Sequence, residues 1–366
     1  MKQLSFAVIG AGNGGQAIAG HLALKGYKVN LYNRTYQKLL PIIEKGGIEL
    51  EGEVEGFGKL NVITDDMEKA IKDVDIVLVV VPASAHYKIA EDMLPYLRDG
   101  QIIVLNPGRT GGALEFHNVT RKREDLDVVI AETDTFIYAC RSSMGRAKIY
   151  KIKEVVSVAA IPKEKTEIVV ETLNTAFSQF IPAQNVLETS LNNFGAVFHP
   201  TPTLLNAARI ETTKGNFEYY REGISPSVAK ILEKIDNERM MVAKALGVNT
   251  ISAKRWLKES YNAEGENLYE AIQNTKAYVG LLAPQTLDCR YIFEDVPMSL
   301  VPMSSIGKEI GIKTPTIDAV IHLASVMHGK DYWKVGRTAE KLGIQGMTVE
   351  EIIELVEGKR KEVTIA

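Results

Sequence analysis

A doubly wound α/β domain followed by an all-helical domain is the architecture that this sequence predicts. Three observations carry the prediction: an apolar run that breaks into a glycine-rich turn at residues 10–15, strand and helix patterns that alternate as far as about residue 183, and helical periodicity with almost no strand-like alternation after it. Taken in order, residues 4–9 form an apolar strand pattern, and Ala17, Ile18, Ala19, Leu22 and Leu24 space a small-residue helix. Residues 28–32 read as the second strand. Residues 75–81 are almost purely apolar and β-branched, the mark of a strand buried on both faces of a parallel sheet, and they stop at Pro82. Further strands are read at 101–105, ending in Asn106-Pro107-Gly108, at 128–131 and at 155–161, with a helical pattern from 163 to 180 closing the region. Helical spacing then recurs at 204–209, 227–246, 251–257, 315–327 and 348–356, with capping Ser, Thr or Pro. The domains are therefore drawn as 1–183 and 184–366, and the cleft between them is where chemistry is expected.

The turn after the first strand is Gly10-Ala11-Gly12-Asn13-Gly14-Gly15, in which Gly10, Gly12 and Gly15 satisfy G-x-G-x-x-G. Gly10 permits the tight turn, Gly12 lets the backbone approach a pyrophosphate, and Gly15 lets the helix pack close to the strand. Phosphates would meet free N–H groups at the positive end of a helix, so Asn13 and Gly14 join the glycines as the expected cofactor cradle of a Rossmann-type domain. The end of the second strand decides which dinucleotide. An NAD site usually has Asp or Glu there, accepting from the ribose 2′-hydroxyl. This chain has Asn33-Arg34-Thr35 with Lys38 a turn later: an amide, a guanidinium, a hydroxyl and an ammonium suited to a 2′-phosphate. NADP(H) is the expected cofactor and NAD(H) the second choice; a solvated helix start is the other reading of Arg34 and Lys38. Pro82 and His86 lie past the carboxyl end of strand 75–81, where such sheets bind cofactors, and are expected on the nicotinamide side; otherwise His86 simply starts a helix.

Composition narrows the class. A chain of 366 residues has room for two cores, and a net charge of −3 argues against a nucleic-acid or anionic-membrane partner. Cys140 and Cys289 are far apart and lack metal spacing, so they read as reduced thiols of a cytoplasmic protein. The start, Met1-Lys2-Gln3-Leu4, leads into an apolar run that is needed as a strand, so no leader is expected, and no stretch is long enough to span a bilayer. An apolar helix around Ile352, Ile353 and Leu355 would serve a homodimer. Asp318 and His322 share a helix face at a spacing that can hold a metal, but no third ligand is near, and no metal site is expected.

Two segments stand out in the helical half, residues 192–209 and 289–297. His199 stands beside Pro200, which interrupts any helix and frees side chains to face a cleft. Hydride transfer to a C=O or C=N centre needs a proton donor near neutral pH, which imidazole supplies. Asp295, among Phe293, Val296 and Pro297, has the semi-buried setting of a carboxylate that would fix the histidine tautomer. On residue types alone, a lone His-Pro is more often a structural turn.

These residues also carry a resemblance. Val197-Phe198-His199-Pro200 with Pro202-Thr203-Leu204-Leu205-Asn206-Ala207-Ala208-Arg209, then Tyr219-Tyr220, Glu222-Gly223-Ile224 and Pro226-Ser227-Val228, resembles the helical domain of the octopine/opine dehydrogenase family. So does Arg290-Tyr291 through Glu294-Asp295-Val296. The N-terminal half is similar to the same family at Gly12-Asn13-Gly14-Gly15, at Val80-Val81-Pro82-Ala83 with His86, and at Leu105-Asn106-Pro107-Gly108 with residues 110–116. The likeness runs nearly the whole chain in order, nearest to bacterial members that make N-(1-carboxyethyl) amino acids. It implies a reaction in which an amino acid condenses with a 2-oxo acid, commonly pyruvate, and the imine is reduced with NAD(P)H. It further implies His199 as the catalytic histidine, Asp295 as its carboxylate partner and Arg290 as the grip on a substrate carboxylate. Arg290 reads alternatively as an ion pair with Asp295 or Glu294, and Asn206 as either a substrate contact or a helix cap.

The chain departs from the family pattern at Gly195, where some bacterial relatives carry Asn, and Asn193 is the candidate substitute. Asn33-Arg34-Thr35 replaces the acidic residue of NAD-using relatives. A 2-keto-acid reductase that needs no amine and a non-catalytic NADP(H) sensor remain as alternatives. His21 and His117 read as surface residues. Glu132, before Thr133-Asp134-Thr135, reads as an ammonium contact or a helix cap.

Overall fold

The computed structural model describes residues 3–359; Met1 and Lys2, and with them the reading of the chain start, lie outside the described residues. The first unit is built on twelve strands: β1 (Ser5–Ile9), β2 (Lys28–Tyr32), β3 (Gly47–Gly52), β4 (Gly56–Lys59), β5 (Val62–Thr64), β6 (Ile76–Val79), β7 (Ile102–Leu105), β8 (Val129–Thr133), β9 (Tyr138–Ser143), β10 (Arg146–Ile152), β11 (Val156–Ile161) and β12 (Phe180–Pro182). Eight of them make one sheet in the order β12-β11-β8-β7-β6-β1-β2-β5. Every pairing in it is parallel except β8 with β11, so it is the doubly wound, Rossmann-type sheet the apolar runs predict. β1 lies between β2 and β6, and the chain turns to opposite sides of it. This is the switch point where open α/β sheets bind ligands, at the carboxyl ends of the strands.

Residues 138–152 and 47–59 give what periodicity did not: a second, four-stranded sheet in the order β4-β3-β10-β9. It covers the outer face of the helix Asn13–Leu24. His21 on that helix is therefore 8% exposed and shares a 2.7 Å hydrogen bond between Nδ1 and the Tyr138 hydroxyl, which corrects its reading as a surface residue. Burial pushes its pKa down to about 4. The helical pattern at 163–180 is also shorter than expected. The helix proper is Thr166–Asn174, and Phe180–Pro182 returns as a parallel edge strand on β11, where proline is tolerated.

The chain divides into two compact units, Met1–Thr189 with Glu354–Ala366, and Ser190–Ile353. Thr189 stays with the first because its Oγ1 donates to the Glu132 carboxylate at 2.6 Å, and Glu357 does so through an ion pair with Lys163. The expected boundary after residue 183 lies at the end of β12, six residues ahead of the division between the units. Among its described residues the second unit is all-helical apart from one isolated bridge, Glu218 with Leu282. Its longest helix, Pro226–Ala245, starts on a Ser225 cap and carries the buried Arg239–Asp236 pair. Arg239 Nη2 donates to the Ile251 carbonyl at 2.6 Å, and Asp236 Oδ2 accepts from Ala253 N at 2.7 Å, which fixes the start of the next helix, Ala253–Tyr261. No described helix is long and apolar enough to cross a membrane.

Candidate active site

In the first unit the glycine turn follows β1 directly, pinned by Gly10 N to Tyr32 O and Val80 N to Ile9 O, both 2.8 Å. Gly10 has φ +110°, and a Cβ on Gly15 would fall on the Gly10 carbonyl oxygen. Gly12 differs: a Cβ there would meet nothing within 4 Å. Two glycines thus serve close packing and the third leaves open space at a helix N-terminus, which fits a dinucleotide pyrophosphate. Gly14 packs on the ring of Phe136, a neighbour that sequence reasoning missed. The Asn13 side chain is engaged by β9, its Oδ1 accepting from Ser142 N at 2.8 Å.

At the end of β2, Asn33 Oδ1 accepts from Ala11 N at 3.3 Å and its Nδ2 donates to Thr35 O at 3.0 Å. The amide therefore braces the cradle, while Arg34 and Lys38 are exposed beside half-buried Thr35. Pro82 precedes a single 3₁₀ turn, Ala83–Ala85. His86 is fully buried, with Nδ1 lying close to Gly112. Glu132 is a helix cap: its Oε2 accepts from Ala113 N at 2.7 Å, at the start of helix Gly112–Thr120.

In the second unit His199 joins two short helices, Gly195–Phe198 and Pro200–Leu205. Pro200 occupies the first position of the second helix, where no N–H is needed. His199 Nδ1 lies 2.9 Å from Asp295 Oδ2; the histidine side chain is 21% exposed and the aspartate 1%. Asp295 heads a five-residue π turn, Val296–Leu300, a distortion common at functional sites. Buried Asn193 donates to Ser299 Oγ at 2.8 Å and so ties the approach to Gly195 to that turn. The face of the imidazole is stacked on Tyr291, ring centroids 4.2 Å apart and planes 17° apart. The His199 carbonyl accepts from Thr203 Oγ1 at 2.8 Å and from the Tyr219 hydroxyl at 2.5 Å. Burial holds the Tyr219 pKa well above its usual value, so it remains a donor.

Arg290 is 61% exposed, and its Nε and Nη2 both reach Glu294 Oε2, at 2.6 and 2.5 Å. The ion pair forms with Glu294 and not with Asp295. Asn206 uses both N–H bonds on backbone carbonyls, Pro202 at 2.8 Å and Gly223 at 2.7 Å, where it breaks the helix between Leu205 and Ala207. That geometry makes it a brace of the broken helix, the capping side of its two readings. Tyr219, Tyr291 and Ser299 escaped sequence reasoning because aromatic and small polar residues in a helical stretch read as packing.

Comparison with known proteins places the chain in a family. A family model described as the alpha-helical domain of NAD/NADP octopine/nopaline dehydrogenase matches residues 182–328, and one described as the NAD binding domain of 6-phosphogluconate dehydrogenase matches residues 5–121. An opine dehydrogenase of Arthrobacter sp. (strain 1C) is 43% identical over 359 residues, covering 98% of this chain and 100% of its own length. The chain belongs to the opine dehydrogenase family. Octopine dehydrogenase solved with NADH and L-arginine shares the fold with a TM-score of 0.82 at 23% identity, over 99% of this chain and 100% of that one. Yersinopine dehydrogenase with NADP+ bound does so with a TM-score of 0.75 at 15% identity, over 98% of each chain. As an opine dehydrogenase this protein is an NAD(P)-dependent oxidoreductase acting on a CH–NH bond, through reductive condensation of an amino acid with a 2-oxo acid. That sets aside the amine-independent reductase and the sensor.

Proposed function

We propose that this opine dehydrogenase uses NADPH and joins pyruvate to an amino acid, with His199 as the proton carrier. The 2.9 Å contact between His199 Nδ1 and the buried Asp295 carboxylate carries the reading. An ionised carboxylate only accepts, so Nδ1 bears hydrogen and Nε2 is the nitrogen left to exchange a proton with substrate. His199 Nε2 protonates the carbinolamine hydroxyl as it leaves as water, and Asp295 stabilises the imidazole through the exchange. Arg290, braced at Nε and Nη2 by Glu294 yet 61% exposed, offers its guanidinium to a substrate carboxylate. Gly10, Gly12 and Gly15 would hold the cofactor's pyrophosphate and Pro82 and His86 would line its nicotinamide side, and the bound cofactor would supply the hydride. Exposed Arg34 and Lys38, with Thr35, support a 2′-phosphate and hence NADPH over NADH.

The deciding assay follows NADPH oxidation with pyruvate, with and without a mixture of the twenty amino acids. Consumption that needs both supports the reading; consumption with pyruvate alone refutes it. Arg34→Asp should turn preference toward NADH by at least about tenfold in kcat/KM, the scale of one charge-assisted contact; an unchanged preference for NADPH removes the 2′-phosphate assignment. A cytoplasmic homodimer belongs to the same proposal. Both cysteines are free thiols, in keeping with a reducing compartment, and a solution mass measurement tests the dimer.

A further inference from the structure

We propose that Tyr291 is a positioning residue for proton transfer, fixing the plane of the His199 ring. The inference rests on the assignment of His199 as the proton carrier. One hydrogen bond, Nδ1 to Asp295, leaves an imidazole free to swing about the line of that bond. A parallel ring against its face, at 4.2 Å and 17°, removes the swing and holds the Nε2 edge in one direction. Tyr291 is held in turn. Its ring centre lies 5.2 Å from that of Tyr219, whose hydroxyl bonds to the His199 carbonyl and to Thr203 Oγ1. One buried phenol therefore supports both the backbone of the histidine and the ring on which its side chain rests.

The stack also has an electrostatic sign. An aromatic face is negative at its centre and attracts an imidazolium more than a neutral imidazole. The other titratable or charged groups around His199 act elsewhere. Asp295 acts at the ring edge and Tyr219 below the carbonyl. Arg290 and Glu294 neutralise each other on the short helix Arg290–Phe293, and the half-buried Cys289 thiol precedes that helix with its pKa raised by burial.

The test compares Tyr291→Phe and Tyr291→Leu by NADPH oxidation with pyruvate and the twenty-amino-acid mixture across neutral and alkaline pH. The phenylalanine variant keeps the face and should stay within about twofold of wild type. The leucine variant should lose about tenfold in kcat at neutral pH, the scale of a cation–π contact. Its KM for pyruvate and its NADPH affinity should change little, since both depend on other groups. NADPH binding reports whether a variant is folded, and Tyr291→Met replaces leucine if that variant is not. A leucine variant with wild-type kcat overturns the proposal while His199→Ala is inactive and the reading of His199 stands. Equal damage from Phe and Leu also overturns it, by assigning the effect to the hydroxyl. A fully active His199→Ala removes the reading itself, and this inference with it.

Discussion

Asp295 and His199 meet through one contact that joins positions 96 apart in sequence, and each contributes something the other lacks. The carboxylate is buried and cannot reach solvent; the imidazole is partly open and can. Replacing His199 with Ala should lower turnover by roughly 10²–10⁴ while NADPH titrates as before, the usual scale for a lost acid–base group. Asp295→Asn is expected to cost about as much in kcat, because an amide can donate to Nδ1 and stabilise the wrong tautomer. Single-turnover kinetics check this, and a near-normal rate would leave Asp295 a merely structural neighbour. The sequence makes His199 and Asp295 visible as chemically able residues, but no local spacing announces that they touch. The resemblance to a family supplied the pairing, since a contact between two short helices has no period. Asn206 is the opposite case, a polar residue with two readings, whose hydrogen-bond partners show the helix-bracing one.

Among the elements, the strands that read clearly were those buried on both faces, such as Ile76–Val79, whose four residues are all buried. The second sheet did not read. Its strands alternate buried and exposed over short, charged stretches, as in Arg146–Ile152, and β10 pairs with β3 from far earlier in the chain. The glycine turn allows a sharper test, because its glycines do different jobs. Gly12→Ala should fold with near-native stability, since its Cβ enters open space, yet lose cofactor affinity by about tenfold or more where that space is needed. Gly15→Ala should instead lower the melting temperature, because its Cβ collides with the Gly10 carbonyl. Fluorescence titration with NADPH alongside thermal unfolding separates the two. Equal cofactor loss without any stability difference would contradict this division of labour.

For the molecule as a whole, two histidines act against stability in acid. His21 and His117 both have their pKa lowered to about 4, in each case chiefly by burial. A folded pKa below the unfolded value of 6.5 means that stability is complete above pH 6.5 and is lost as pH falls toward 4. Asp134 works the other way. Burial raises it to about 6 from 3.8, so its contribution is present at low pH and fades as pH rises through that window. For these three groups, two histidine protons against one aspartate proton leave a loss of roughly 1 kcal/mol per pH unit as pH falls from 6 to 4. Urea unfolding at stepped pH measures the slope. His21→Asn should flatten it, and an unaltered slope would remove His21 from the account.

The latch of Ser142 onto Asn13 bears on the order in which the protein is made. A nascent chain that has emerged as far as β8 already holds the glycine turn and most of the parallel sheet, yet the helix Asn13–Leu24 still lacks the cover of β9 and β10. The nucleotide-binding half is thus not self-sufficient at the point where its sequence signature ends. A fragment stopping before Tyr138 would present a sticky helix face to the cell, and a place to divide this gene for fusion or complementation lies after β12, not between the strands and the hairpin that completes their cradle.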